Sequence, residues 1–173
     1  MSTYVRQAIL HDYRALCALF EELDEFHRRA RPDLFRPFEG PARSWAQVGQ
    51  WLAGPDSTIL VAEDGAEVIG LVLLLPRLPS AFAGAVPRRV VVIDNLVVRA
   101  DRRDRRIGPK LVTASMEWAR GQGASHVELG GPRHQSSSAQ ILRAYWLRCV
   151  RAFAEPGHLV GKCLVSAAMG WSP

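Results

Sequence analysis

The spacing of hydrophobic residues changes several times along the chain, and each change predicts an element. Tyr4 to Leu10 reads as a short strand. Beyond Asp12, apolar residues fall at Tyr13, Leu16, Cys17, Phe20, Leu23 and Phe26, three and four apart, which predicts an amphipathic helix. Asp12 is the expected N-cap, because its carboxylate can accept from backbone N–H groups that lack an intrahelical partner. Arg31-Pro32 is expected to end this helix, since proline disfavours helical geometry in the residue before it. Three prolines and a glycine between 32 and 43 predict a loop, and Ser44 to Leu52 a second, short helix stopped by Gly54-Pro55. Thr58 to Glu63 and Glu67 to Leu75 read as strands joined at Asp64-Gly65, a hairpin signal. After a turn-rich stretch from Pro76 to Pro87, Arg89 to Val98 is a strand rich in Val and Ile. Ile107 to Arg120 places Ile107, Leu111, Ala114, Ser115 and Trp118 on one helical face, with Gly121 and Gly123 to end it. His126 to Leu129 is a last short strand. This order predicts an α/β chain: a mixed, mostly antiparallel sheet flanked by helices.

Composition narrows the class. A length of 173 residues predicts one domain, and 48% hydrophobic with 23% charged residues is ordinary for a globular protein with a core. No apolar run approaches the ~20 residues of a membrane span. The first residues carry no secretory pattern. A cytoplasmic protein without a membrane partner is the expectation. Cys17, Cys149 and Cys163 are far apart and form no C-x-x-C pair; His11, His126, His134 and His158 lack metal-ligand spacing. No disulfide framework and no metal are therefore expected.

The net charge of +5 is modest, but its placement is not even. Arg102, Arg103, Arg105, Arg106 and Lys110 crowd one short stretch against only Asp101 and Asp104. Such a stretch is either a solvated turn or a phosphate site. It has no interleaved aromatic residues, which argues against a nucleic-acid partner. Its setting between the strand ending at Val98 and the helix starting at Ile107 favours the phosphate reading. A helix N-terminus aims several backbone N–H groups at one point and carries roughly half a positive charge.

Here the chain resembles the GNAT acetyltransferases. Their motif is a strand ending in apolar residues, then Q/R-x-x-G-x-G/A, then an amphipathic helix. Asp94-Asn95-Leu96-Val97-Val98 stands on the strand, and Arg103-Asp104-Arg105-Arg106-Ile107-Gly108 occupies the motif. The early helix, the Asp64-Gly65 hairpin and Val68-Ile69-Gly70 also fall where the family has them, so the resemblance covers about residues 4 to 129. It implies a single acetyl-CoA-dependent N-acetyltransferase domain. Leu96, Val97 and Val98 would bind the pantetheine arm; Arg103, Asp104, Arg105, Arg106, Ile107, Gly108 and Lys110 would surround the diphosphate. Asp94 is a candidate proton relay. Arg106 stands where the family has its first motif glycine, which lets the backbone approach phosphate. Pro109 donates no N–H but suits the first turn of a helix.

After Val127-Glu128-Leu129 the family continues with an Asn-bearing loop, a helix ending in F/Y-x-x-x-G-F, and two closing strands. This chain instead runs through Gly130-Gly131-Pro132, then Ile141, Leu142, Tyr145, Trp146, Cys149 and Val150 at helical spacing. Reading the codons of Ile141 to Val150 one base later can give Ser-Phe-Glu-Arg-Ile-Gly-Phe-Ala-Val, which contains the missing pattern. A one-nucleotide shift near residue 130 is the hypothesis this raises. As written, Tyr145 is the nearby candidate for the acid that protonates the departing thiolate. Absent closing strands would expose an edge and promote association, the ground for expecting a homodimer. Glu21, Glu22, Asp24, Glu25 and His27 sit where the family borders its acceptor, and an acidic rim there would suit a cationic amine. The leading reading is acetyl transfer to a primary amine of a small molecule or peptide. The competing one is a weak or inactive acyl-CoA-binding domain.

Overall fold

A five-stranded sheet organises the molecule. The computed structural model describes residues 3–77, 83–103 and 105–130. In chain order the elements are β1 (Tyr4–Gln7), α1 (Tyr13–Ala30), α2 (Trp45–Ala53), β2 (Thr58–Asp64), β3 (Glu67–Pro76), β4 (Val90–Val98), α3 (Ile107–Gly121) and β5 (His126–Leu129). Strands β1 to β4 form an antiparallel meander in sequential order, and β5 joins the edge of β4 in parallel after the crossover through α3. The expected sheet is the observed one.

Both faces of the sheet are covered, which explains why β3 reads as an unbroken apolar run. On one face α3 packs Ile107, Leu111, Val112 and Ala119 over Leu60, Ile69, Val72, Leu74, Val91 and Ile93. On the other, Leu16, Leu19 and Phe20 of α1 and Val48 of α2 lie over Ile59, Val61, Leu71, Leu73 and Val97. The side-chain alternation of β3 is interrupted once. Ala62 pairs with Gly70 and Glu63 with Val68, so Ile69 is an extra residue, and it joins the α3 face together with Val72 and Leu74. Gly70 sits beneath the first turn of α3. A Cβ on it would lie 3.1 Å from the Val97 carbonyl oxygen, 3.3 Å from Leu111 and 3.5 Å from Ile107. Only a residue without a side chain lets that helix start so close to the sheet.

Two local expectations shift. The first strand stops at Gln7, and a short 3-10 turn (Leu10–Asp12) precedes α1. Asp12 does not cap α1: its carboxylate accepts the Ile9 N–H at 2.8 Å and pairs with Arg6 at 2.7 and 2.9 Å. The two-pronged guanidinium holds the carboxyl below its usual range and turns it back toward β1. Ser44 does cap α2, accepting from the Gln47 N–H at 3.1 Å. The hairpin turn is Gly65-Ala66, with Gly65 at φ 69° and Asp64 still paired to Glu67.

Candidate functional site

The geometry that matters lies along β4. Its ladder with β5 runs from Val90 opposite His126 to Ile93 opposite Leu129, and the Gly130 N–H donates to the Ile93 carbonyl at 2.7 Å. From Asp94 to Val98 that edge pairs with no strand among the described residues. A bulge falls at the changeover. Leu73 of β3 pairs with Asn95 and Leu74 with Ile93, leaving Asp94 as the extra residue. Val91 and Ile93 face α3 before the bulge, Leu96 and Val98 after it. Val97 then points toward α1. The bulge thus re-aims the strand where its edge opens.

Asp94 occupies this bend. The residue is exposed, yet the surrounding protein raises its carboxyl above the ordinary carboxylate range by desolvation, partly offset by the charge of Arg43. Arg43, in the loop before α2, pairs with Asp24 of α1 at 2.8 and 3.2 Å and lies 4.6 Å over the Phe20 ring. Its charge and that of Asp24 also act on His27, whose pKa is lowered chiefly by burial, and whose ring stacks on Phe35 at 5.1 Å.

Beyond Val98 the chain forms a 3-10 turn (Ala100–Arg102) and enters α3. Arg106 is the N-cap residue, with φ 57° and ψ 25°, and among the described residues it is the one non-glycine with positive φ. This left-handed conformation is why glycine suits the position; for arginine it costs roughly 1–2 kcal/mol. No side chain among the described residues caps α3. The N–H of Lys110 is the first to reach back into the helix, at 3.3 Å from the Arg106 carbonyl. A Cβ on Gly108 would meet nothing within 4 Å, so the first turn looks onto open space. Together these features make an anion-binding geometry.

The basic residues of the bend divide into two sets. Arg99 and Arg102 are held by acids: Arg99 by Glu67 and Asp101, Arg102 by Glu67 at 3.2 Å and Asp101 at 3.6 Å, with Asp64 4.0 Å away. These pairs fasten the turn to the β2–β3 hairpin. Arg103 lies on the open edge, donating from Nε to the Val98 carbonyl at 3.2 Å and from Nη2 to Glu22 of α1 at 2.8 Å. Arg105 and Arg106 are exposed, with no ion pair among the described residues. Lys110 turns away toward β1, where its Nζ donates to the Thr3 carbonyl at 2.9 Å. Asp104 and Tyr145 lie outside the described residues.

The structure therefore groups Asp94, Leu96, Val97, Val98, Arg103, Arg105, Arg106, Ile107 and Gly108 along one open edge and one helix start. It does not show the acidic rim that the sequence of α1 suggests as a free surface. Glu22 is engaged by Arg103, Asp24 by Arg43, and Glu25 by Arg28 and Arg29. Sequence reasoning missed Glu22 and Arg43 in these roles, because both act on residues dozens of positions away. Gly70 was legible only as an interruption of an apolar run. Among the described residues no group of three or more His, Cys, Asp or Glu side chains could hold a metal ion, and no helix is long and apolar enough to cross a membrane.

Comparison with known proteins bears on this geometry. The uncharacterized N-acetyltransferase YhfO of Bacillus subtilis (strain 168) is 28% identical over 137 residues, covering 79% of this chain and 84% of that protein. A four-fold mutant of the BH1408 protein from Bacillus halodurans superposes with a TM-score of 0.71 at 22% identity, over 84% of this chain and 91% of that one. The aminoglycoside N-acetyltransferase AAC(6')-Iy in complex with CoA shares the fold at a TM-score of 0.59 and 15% identity, over 82% and 89% of the two chains. Residues 17–149 match the acetyltransferase (GNAT) family, a range that reaches past Leu129, where the motif resemblance fades. With the sheet, the bulge and the helix start in the arrangement described above, the chain belongs to the acetyltransferase (GNAT) family.

Proposed function

We propose that this chain transfers the acetyl group of acetyl-CoA to a primary amine of a small molecule or peptide. One observation carries the reading: a strand edge, Asp94 to Val98, that pairs with no strand among the described residues runs into a helix N-terminus that no described side chain caps. A ligand with amides along an arm and phosphates at its end suits that junction. Backbone groups of Leu96 to Val98 can bond the arm as a strand would. The N–H groups of Ile107 and Gly108, with the helix dipole, favour the diphosphate. The open space before Gly108 supports the fit. Arg103, Arg105 and Arg106 border the phosphates, while Lys110 adds positive field from a distance. Bound acetyl-CoA supplies a thioester carbonyl as electrophile. Asp94, with its raised pKa, takes the proton of the incoming ammonium, directly or through water. Tyr145 is proposed as the acid for the thiolate.

Arg106 favours a second reading, an acyl-CoA-binding domain with little turnover. It puts a side chain where the backbone would approach phosphate, and Pro109 removes one N–H from the first turn. Titrating acetyl-CoA by calorimetry, followed by thiol release across polyamines, aminoglycosides, amino acids and peptides, tests both. Saturable binding with release is expected. Binding without release selects the second reading, and absence of binding overturns both.

A further inference from the structure

Arg103 holds the position on which the proposed phosphate site depends, yet its guanidinium is already engaged. Arg99 donates its N–H to Ile69 of β3, so the neighbouring Val98 carbonyl faces the opposite, unpaired edge of β4. Arg103 Nε bonds that carbonyl at 3.2 Å, and its Nη2 reaches Glu22 of α1 at 2.8 Å, 81 residues away in sequence. The side chain thus lies across the edge that a CoA arm would use, anchored at its far end by a carboxylate. Arg103 is 52% exposed and Glu22 29%, so the pair is a surface contact, strong enough to hold an orientation and weak enough to exchange. No other ion pair to Arg103 exists among the described residues.

We propose that Glu22 is an internal competitor for the cofactor. Its carboxylate occupies Arg103 in the free protein, and a CoA phosphate takes its place on binding. The exchange replaces one charge-assisted hydrogen bond by another and clears the Val98 carbonyl. The released Glu22 lies two residues before Asp24, whose partner Arg43 acts electrostatically on Asp94, so the exchange changes the charge near the proposed acceptor of the amine proton. This inference rests on the proposed acetyl-CoA site.

Calorimetric titration of CoA into the full chain, the Glu22→Gln variant and the Glu21→Gln variant tests it. Glu21 is exposed and carries the same charge one residue away, so it controls for long-range field. Removing the competitor should tighten CoA binding by about two- to five-fold, the span of an exposed ion pair. Glu21→Gln should bind like the parent. The gain should shrink at high salt and vanish with phosphate-free pantetheine as the probe. Weaker binding by Glu22→Gln would make Glu22 a support for Arg103 and overturn the proposal, as would equal binding by the two variants. A parent chain that binds no CoA would instead remove the cofactor reading itself.

Discussion

At the N-terminal end of β4, Arg77, Arg88 and Arg89 gather around a cavity of about 830 Å³; at the C-terminal end, Arg99, Arg102, Arg103, Arg105 and Arg106 gather around a bend. Both ends are rich in guanidinium groups, but the architecture is opposite. In the first region Arg77 pairs with Glu128 and Arg89 with Asp56, and β4 is hydrogen-bonded on both edges. In the second, Arg99, Arg102 and Arg103 are likewise held by acids, but the strand has no second neighbour among the described residues and leads into a helix start. Positive charge is therefore not what distinguishes the proposed phosphate site. Unpaired backbone, oriented by a bulge and a helix dipole, is the difference. The cavity is the less informative place, because two of its arginines already pair with acids and the strand beside it is hydrogen-bonded on both edges.

Substitutions at the two ends should separate these explanations. The largest effect is expected at the bulge. Asp94→Asn should lower acetyl transfer about 100-fold, the scale of a lost general base, while Arg77→Ala should leave the rate unchanged. Because desolvation raises the Asp94 pKa, the basic form is lost as pH falls through a value above the ordinary carboxylate range. A pH–rate profile should show that limb in the parent and not in Asp94→Asn.

Next comes Gly70→Val, which forces side-chain atoms against the Val97 carbonyl and Leu111. It should cost about 2 kcal/mol in denaturant unfolding and weaken CoA binding by displacing the first turn of α3. Replacing both Arg105 and Arg106 by Ala should weaken CoA binding about tenfold, with a flatter salt dependence. The matching pair Arg77→Ala and Arg89→Ala should leave CoA affinity alone. An equal loss from both pairs would mean that bulk charge, not the bend, attracts the ligand. The smallest expected effect is Arg106→Gly, which relieves the left-handed φ and should stabilise the fold by about 1 kcal/mol, measured by thermal unfolding.

Much of the fold was legible because its signals are local. Apolar runs bounded by turn residues located β2, β3 and β4, and helical spacing α1 and α3, within a residue or two, and Gly65 marked the hairpin. Asp12 shows the limit. Its type and position suit a helix cap, but Arg6 on a neighbouring strand offers two charge-assisted bonds and takes the carboxylate away. The acids of α1 fail for the same reason: sequence gives a row of charges, and only packing reveals that Arg103 and Arg43 have claimed two of them.

The order of residues by itself determined most of the elements and the arginine-rich strand–turn–helix setting, since these follow from neighbours within a few positions; Arg103 to Gly108 enter the proposed phosphate site through the family resemblance. Tertiary structure decided which strand edge has no partner among the described residues, that Asp94 is the extra residue of a bulge, and that Glu22 reaches Arg103 across 81 positions. Those depend on register and on contacts between distant segments. A one-residue change in pairing reverses every side chain along a strand, and β4, apolar toward both covered faces, has no polar–apolar alternation to fix its register.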